Sequence, residues 1–252
     1  MLLTRVIPCL LLKGEALVKG VQFKNHRYVG DPLNAVHIFN DMKVDELILF
    51  DIEATLAKKK PNFKIIEHIA GECFMPLAYG GGIRELDDVK KIFEAGVEKI
   101  AVNSYAFENP EFVEQAAQKF GNQSIIISLD VKRNPRGQYE VFIGGGKKGT
   151  GTDPVSYAQK MESLGAGEIL LNSIDRDGTW AGYDVELIKR IAEAVKIPVI
   201  ACGGAGKIEH FSEAVKAGAA AVAAGSLFVY QGKDRGVLIN FPHRKELESL
   251  QN

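Results

Sequence analysis

Apolar and polar positions follow one another in two alternating patterns along this chain. Short runs rich in β-branched residues predict buried strands, and the stretches between them place apolar residues at helical spacing, which predicts amphipathic helices. The predicted strands cover Arg5–Leu11, Glu46–Asp51, Met75–Tyr79, Lys99–Asn103, Ile125–Asp130, Glu168–Ser173, Pro198–Ala201 and Ala220–Ala224. The predicted helices cover Pro32–Met42, Phe63–Glu72, Leu86–Ala95, Glu111–Phe120, Val155–Leu164, Val185–Val195, Ile208–Ala217 and Arg244–Leu250. The pattern therefore predicts eight strand–helix units in strict alternation.

The second half of the chain repeats the first at a constant offset. The offset of 122 positions carries Glu46 to Glu168, Pro76 to Pro198, Gly81 to Gly203, Gly82 to Gly204 and Ser104 to Ser226. A two-fold repeat of four strand–helix units predicts an α/β fold, the (β/α)8 TIM barrel. We expect one barrel domain over residues 1–252, with half-repeats of roughly 1–122 and 123–252. A doubly wound open sheet is the alternative, but it accounts for neither the eight units nor the repeat.

The composition narrows the class of protein. The chain has 252 residues, of which 46% are hydrophobic and 25% charged, and its formal net charge is −1. That charge gives no reason to expect a nucleic-acid or membrane partner, and no apolar run reaches the roughly 18 residues of a transmembrane helix. The cysteines, Cys9, Cys73 and Cys202, are too few and too scattered for a disulfide framework, and no histidine has metal-ligand spacing. We therefore expect a cytoplasmic protein with no metal and no cofactor.

Glycine pairs follow two of the predicted strands, one in each half. Gly81–Gly82 and Gly203–Gly204 each stand between a strand and a helix, where glycine lets the backbone approach an anion closely. Asn103–Ser104 and Gly225–Ser226, after strands four and eight, can complete each corner with N–H and O–H donors. We call these groups the first corner and the second corner. A tight βα turn explains either glycine pair without a ligand, but two corners related by the repeat indicate a ligand with a phosphate at each end.

Acidic residues stand at strand ends that face the same mouth of the barrel, at Asp51, Asp130 and Asp177. Asp130 ends an apolar strand and can serve as a general acid or base. It can equally cap its loop or pair with Lys132, and the spacing alone leaves both readings open. Lys19 can bind an anionic ligand or be a solvated loop lysine.

Two connections are longer than turns. They cover Leu12–Gly30 after strand one and Val131–Thr152 after strand five, and both belong at the mouth where barrel sites are built. Gln138–Ile143 within the second has the pattern of part of a hairpin.

Four charged residues stand at the opposite ends of the strands. Arg5, Glu46, Lys99 and Glu168 lie at the starts of strands one, two, four and six. Since an unpaired charge inside a barrel is costly, we expect the two cations and two anions to form a neutral ring, called here the floor ring. Such a ring is either a structural plug or a gate to a tunnel through the barrel.

The sequence resembles the cyclase subunit of imidazole glycerol phosphate synthase over nearly its whole length, to about Ser226. The segments that carry the resemblance are IPCL, LVKG, GDP, DELILFDI, GGGI, AVNS, SLD, AGEILLNSIDRDGTWAGYD and GGAGKIEHF. The resemblance implies a barrel that takes ammonia from a partner glutaminase. It implies that the ammonia converts a bis-phosphorylated aminoimidazole carboxamide ribonucleotide into imidazole glycerol phosphate and aminoimidazole carboxamide ribonucleotide.

The resemblance also implies roles for individual residues. Asp130 is expected to be one of two catalytic aspartates, with Lys19 and Asp177 near the substrate and both corners on its phosphates. Asp51 and Gly178 are expected in the same binding site. The floor ring is expected to be the ammonia gate, with a glutaminase docked on the N-terminal face of the barrel around it.

Position 11 departs from the family pattern. The family has its other catalytic aspartate after IPCL, where this chain has Leu11. Leucine cannot transfer a proton, and a general acid–base group contributes roughly 10²–10⁴-fold to the rate. Glu15, four residues on, would have to fold back to replace it. IPCLLLK followed by YVGDP resembles a paralogous branch that works with a glutaminase-like partner and a separate sugar amidotransferase on surface-polysaccharide sugars.

Three functions are therefore compatible with the sequence. The chain is a barrel that receives ammonia for sugar amidation with weak or no cyclase activity, because Leu11 replaces an aspartate. Alternatively, it is a genuine cyclase of histidine biosynthesis. The third alternative is a non-catalytic scaffold that senses a bis-phosphate and tunes the glutaminase.

Overall fold

Parallel strands close into a barrel, as the alternation of patterns predicts. The computed structural model of the chain describes residues 4–247. Its strands are β1 Arg5–Lys13, β2 Ala16–Val21, β3 Lys24–Gly30, β4 Leu47–Asp51, β5 Leu77–Gly80, β6 Lys99–Val102, β7 Ile125–Arg133, β8 Tyr139–Ile143, β9 Lys148–Gly149, β10 Glu168–Ser173, β11 Val199–Cys202, β12 Ala221–Ala224, β13 Tyr230–Gln231 and β14 Gly236–Val237. The parallel barrel runs β1, β4, β5, β6, β7, β10, β11, β12 and closes where β12 pairs with β1. The (β/α)8 TIM barrel is confirmed.

Helices separate the barrel strands. They are α1 Pro32–Asp41, α2 Phe63–Glu72, α3 Leu86–Glu94, α4 Ser104–Glu108, α5 Glu111–Phe120, α6 Pro154–Ser163, α7 Val185–Ala194, α8 Glu209–Lys216, α9 Ser226–Val229 and α10 Arg244–Leu247. The start of α6 shows how the sequence sets a boundary: Asp153 accepts a hydrogen bond from the Ser156 N–H at 2.9 Å, and Pro154 occupies the first turn. Within residues 4–247, no helix is long and apolar enough to cross a lipid bilayer.

Two apolar layers stabilise the barrel. Outward-facing strand residues pack against the helices, of which Phe39 on α1 and Phe211 on α8 have no solvent exposure. The barrel interior is filled by a smaller cluster of aliphatic and small side chains, Ile7, Cys9, Ile48, Ala78, Ala101, Ile126, Leu170, Ile200, Cys202, Ala221 and Ala223. Cys9, Ala101 and Cys202 of this cluster also line the cavity described below.

The long connections are more ordered than the sequence predicted. Leu12–Gly30, predicted as a loop, is an antiparallel hairpin in which β1 continues into β2 and β2 pairs with β3. The prediction failed because β3 is mostly exposed and carries Lys24, Arg27 and other polar residues, so it lacks the apolar alternation of a strand. The predicted hairpin part Gln138–Ile143 is confirmed, since β8 pairs antiparallel with β7.

Short helices follow two barrel strands directly, and sequence periodicity missed both. α4 and α9 have five and four residues, fewer than the window in which a helical pattern can be recognised. The predicted helix Arg244–Leu250 begins at Arg244 as expected. Its last three positions, 248–250, lie outside the described residues.

Candidate functional site: a cavity at the carboxyl ends of the strands

A cavity of about 570 Å³ opens among the carboxyl ends of the barrel strands. Its volume is in the range typical of small-molecule sites. The residues that line it come from both halves and include Cys9, Leu11, Lys19, Asp51, Gly81, Gly82, Arg84, Asn103, Ser104, Ser128, Asp130, Lys147, Asn172, Asp177, Cys202 and Gly225. Most of the residues that the sequence singled out therefore meet in one place. Gly178, Gly203, Gly204 and Ser226 do not line the cavity.

Asp130 lies on β7 at the inner end of this cavity and is almost fully buried. Burial, reinforced by the negative charge of Asp177, raises the pKa of Asp130 to about 8, while the Asn172 side chain on the adjacent strand opposes the shift. A carboxyl group with this pKa is largely protonated at neutral pH and can donate a proton. Asn172 Oδ1 is buried and has no hydrogen-bond partner among the described residues, so a ligand donor in the cavity would satisfy it.

Lys19 and Asp177 form a buried ion pair beside Asp130. Lys19 Nζ donates to Asp177 Oδ1 at 2.7 Å, and the two side chains are only 6% and 9% exposed. Burial lowers the pKa of Lys19, but the Asp177 carboxylate outweighs it and leaves that pKa raised. The β2–β3 hairpin holds the lysine there, because the Gln22 N–H donates to the Asp177 carbonyl at 2.9 Å. Lys19 is thus a fixed charge rather than a solvated loop lysine.

Leu11 brings an apolar side chain into the same cavity. It lies on β1 between Val18 of the hairpin and Phe50 of β4. Glu15, the nearest carboxylate in sequence, is exposed at the tip of the hairpin and does not line the cavity. The carboxylates that do line it are Asp51, Glu53, Asp130 and Asp177. Asp51 Oδ1 accepts from the N–H groups of Glu53 and Ala54, so this aspartate caps its own loop.

The first corner opens into the cavity. Gly81 and Gly82 have φ angles of 122° and 73°, and a Cβ on Gly81 would lie 2.4 Å from the Asp51 carbonyl oxygen, so both positions need glycine whether or not a ligand binds. Ser104 Oγ accepts from the Gly144 N–H at 2.9 Å. Arg84 lies beside this corner, stacked on the Tyr105 ring. Among the described residues no carboxylate pairs with Arg84, which leaves its positive charge available to an anion.

An aromatic side chain, Trp180, lies against the second corner. Trp180 Nε1 donates to Ser226 Oγ at 3.0 Å, and the Trp180 backbone packs so closely on Gly206 that a Cβ there would lie 2.4 Å from Trp180 Cβ. Arg235 covers the other side of the indole at 4.7 Å from the ring centroid. Gly203 and Gly204 have φ angles of 86° and 118°, as at the first corner, but they do not line the cavity, whereas Gly225 of the same corner does. A second cavity of about 610 Å³ opens beside this corner and is lined by Trp180, Gly206 and Arg235 among others.

The floor ring lies at the opposite end of the barrel. Arg5 contacts Glu46 and Glu168 at 2.5 Å each, and Lys99 contacts the same two carboxylates at 3.0 Å each. Each carboxylate is shared between both cations, and Glu46 is 3% exposed. The neutral ring that the sequence predicted is present as a closed cycle of four ion pairs; its role as plug or gate remains a prediction.

Sequence reasoning missed several residues of the cavity region. Arg84 stands two positions after Gly82, whereas Asn172 lies within a predicted strand, five positions before Asp177, and nothing in the local pattern distinguishes either of them. Trp180 carries a clearer signal. It falls 122 positions after Lys58, so the repeat pairs a bulky aromatic residue with an exposed lysine at equivalent sites.

Together the fold and the cavity define a class: (β/α)8 barrel proteins with a polar small-molecule site at the carboxyl ends of their strands. A family model described as "Histidine biosynthesis protein" matches residues 5–235. The chain belongs to this family and is a homologue of HisF-type subunits of imidazole glycerol phosphate synthase.

Individual relatives cover nearly all of the chain. A provisionally named imidazole glycerol phosphate synthase subunit hisF2 of Pseudomonas aeruginosa is 49% identical over 245 residues, which is 97% of this chain and 98% of that protein. A provisionally named subunit HisF of Leptospira borgpetersenii is 48% identical over 99% of both chains. The imidazole glycerol phosphate synthase subunit HisF of Pyrobaculum aerophilum is 47% identical over 90% of both.

Proposed function

We propose that this chain is the barrel subunit of a glutamine-dependent pair, and that it passes ammonia from a glutaminase toward sugar amidation with weak or no cyclase activity. The observation that carries the proposal is Leu11. It contributes an apolar side chain to a cavity in which Asp130 is poised as an acid, and cyclisation in the family pattern needs a carboxylate at both positions. Losing one acid–base group lowers a rate by roughly 10²–10⁴-fold.

The floor ring supports the ammonia part of the proposal. Its four charges neutralise one another at the barrel entrance, while the interior beyond it is lined by small and apolar side chains that do not bind ions. A neutral ammonia molecule can cross such an interior far more easily than ammonium, because burial of an unpaired ion is costly. The glutaminase is proposed to dock on the face around Arg5 and Lys99.

Cyclase turnover tests the loss of cyclisation. The purified protein is given the bis-phosphorylated aminoimidazole carboxamide ribonucleotide with a high concentration of ammonium, which bypasses any partner, and Leu11→Asp is assayed beside it. We expect no measurable turnover by the natural chain and a gain in Leu11→Asp. Leu11→Asn is the matched control, because it is similar in size to aspartate but cannot exchange a proton. Good turnover by the natural chain would overturn the proposal.

Ammonia transfer tests the gate. Lys99→Met removes one cation of the floor ring while keeping its aliphatic volume. We expect it to weaken binding of the cognate glutaminase, or to uncouple glutamine hydrolysis from the use of its ammonia, without changing the response to free ammonium. If partner binding and transfer remain as in the natural chain, the floor ring is a structural plug.

A genuine cyclase of histidine biosynthesis is the second candidate. The raised pKa of Asp130 and the fixed Lys19–Asp177 pair favour it, since both are features of an acid–base site. Glu53 lines the cavity and is the carboxylate that could act in place of the missing one, so Glu53→Gln should abolish any turnover that this candidate predicts. A sensor that stimulates the glutaminase on binding a phosphorylated ligand, without forming product, is the third candidate.

A further inference from the structure

We infer that the second cavity, called here the outer cavity, is a binding site for an anionic sugar, which is a sugar that carries a phosphate or a carboxylate group. The inference rests on the proposed function, in which a polysaccharide sugar is the final acceptor of the ammonia. The walls of the outer cavity, its charges and its separation from the main cavity support it.

Trp180 stands between the outer cavity and the second corner. The indole lines the outer cavity, and its Nε1 donates to Ser226 Oγ at 3.0 Å. Neither Ser226 nor Gly203–Gly204 lines the outer cavity, and Trp180 does not line the main one. The Ser226 hydroxyl accepts from the indole and retains its own proton for an anion at the second corner. A ligand in the outer cavity therefore uses other groups than a phosphate at the second corner would use.

An ordered hairpin forms one wall of the outer cavity. β13 and β14 pair at Tyr230 with Val237 and at Gln231 with Gly236. The Tyr230 hydroxyl donates to the Lys19 carbonyl at 3.3 Å, which fastens this hairpin to the hairpin of β2 and β3. The cavity volume of about 610 Å³ is in the range typical of small-molecule sites.

The charge that lines the outer cavity is positive. Lys233 and Arg235 line it, and within residues 4–247 no carboxylate does. Asp234 stands between the two cations in sequence but does not line the cavity. The formal net charge of the whole chain is −1, so this positive charge is a local feature. The outer cavity therefore attracts an anion.

Arg235 is held in position for such an anion. Its guanidinium carbon lies 4.7 Å from the centroid of the Trp180 ring. A guanidinium stacked on an aromatic ring keeps its N–H donors at its edge, where they match two oxygens of a carboxylate or of a phosphate. Stacking also reduces the side-chain freedom that would be lost on binding. Arg235 is thus the group that fixes the anionic end of the ligand.

The remaining side chains suit the body of a sugar. Gln231 and Asn240 line the outer cavity, and an amide side chain can both donate to and accept from hydroxyl groups. Asn240 Nδ2 donates to the Leu238 carbonyl at 3.0 Å, which leaves its oxygen to accept from a ligand. Trp180 and Leu227 supply apolar surface for the C–H groups of a sugar ring. An anion without hydroxyl groups would leave the two amides unused.

Titration calorimetry on the full chain tests the inference with four probes: glucose 1-phosphate, glucuronate, inorganic phosphate and glucose. We expect saturable binding of glucose 1-phosphate or of glucuronate, and the stronger of the two identifies the anionic group. Arg235→Gln should weaken this binding by about tenfold or more, because it removes charged hydrogen bonds. Gln231→Ala should weaken binding of the sugar anion but not of inorganic phosphate. Arg190→Gln is the matched control, since it removes an arginine stacked on another ring, that of Tyr139, and should change nothing.

The corners of the main cavity also attract phosphate, so the titrations are repeated in Ser104→Ala/Ser226→Ala. The sugar anion should still bind to this chain. It should also change the fluorescence of Trp180, the one tryptophan of the chain.

Three results would overturn the inference. They are no binding of either sugar anion, equal affinity for inorganic phosphate, and binding that is lost in Ser104→Ala/Ser226→Ala but kept in Arg235→Gln. These measurements involve neither ammonia, nor a glutaminase, nor cyclisation. Their failure would leave the ammonia and cyclase tests of the proposed function unaffected, so the two failures are distinguishable.

Discussion

Asp130→Asn should make the stability of this protein less dependent on pH. In the folded chain the pKa of Asp130 is raised to about 8 from the ordinary 3.8, chiefly by burial and further by Asp177. Between these two values the unfolded chain has released the proton and the folded chain retains it. Stability that depends on this carboxyl is therefore fully present below about pH 4 and is lost as the pH rises toward 8.

The magnitude follows from the width of that window. Each pH unit between the two pKa values lowers the free energy of unfolding by about 1.4 kcal/mol for the natural chain, because one proton must be lost on unfolding. From pH 5 to pH 7 the loss is about 2.7 kcal/mol. Asparagine has nearly the shape of the protonated carboxyl and does not titrate. The free energy of unfolding of Asp130→Asn therefore lacks the pH dependence that Asp130 contributes.

Urea unfolding at pH 5, 6 and 7 measures the difference between the two proteins. We expect Asp130→Asn to gain on the natural chain by about 2.7 kcal/mol over this range, with other titrating groups cancelling because both chains contain them. A difference that stays constant within about 0.5 kcal/mol would show that Asp130 is already ionised in the folded chain. It would then be unable to act as an acid near neutral pH.

Two further variants probe buried polar groups on either side of the barrel wall. Tyr79→Phe removes a buried hydroxyl that has no partner among the described residues. In urea titrations the free energy of unfolding should stay level or rise by up to about 1 kcal/mol. A decrease of more than about 1 kcal/mol would mean that the hydroxyl does have a hydrogen-bond partner. Lys19→Met leaves Asp177 buried without its cation and should lower the free energy of unfolding by about 3–5 kcal/mol at pH 7. The double variant Lys19→Met/Asp177→Asn should recover part of this loss. An equal loss in the single and the double variant would contradict an ion-pair origin.

The barrel could be predicted because its signals are local and repeated. Short apolar runs, capped helix starts such as Asp153–Pro154, and glycines after helices each set one boundary, and the offset of 122 residues fixed the number of units. The exposed hairpin that carries Lys19 gave no apolar alternation, so periodicity could not find it. Its ion pair with Asp177 spans 158 positions and depends on the closed barrel to bring the two groups together.

The sequence identified most of the residues that line the cavity, but not which of the two glycine pairs borders it. Gly81–Gly82 and Gly203–Gly204 look alike in sequence because both turns need positive φ angles, and the structure gives all four glycines such angles. Which glycines border the cavity depends on how the loops after the strands pack, since Gly81 and Gly82 line it and Gly203 and Gly204 do not. A repeat in sequence therefore predicts equivalent backbones without predicting equivalent binding sites.

The two ends of the barrel can be tested separately, because they are separated by a packed interior. The floor ring involves charges at strand starts, whereas Leu11 lies in the cavity at the carboxyl ends, beyond residues such as Ile48 and Ile126. Changes at the ring should alter the use of glutamine-derived ammonia but not phosphate binding. Changes at Leu11 should alter ligand binding or turnover but not glutaminase docking. A variant at one end that changed both readouts would require coupling through the barrel interior, and a partner glutaminase bound to the floor would be the means of detecting it.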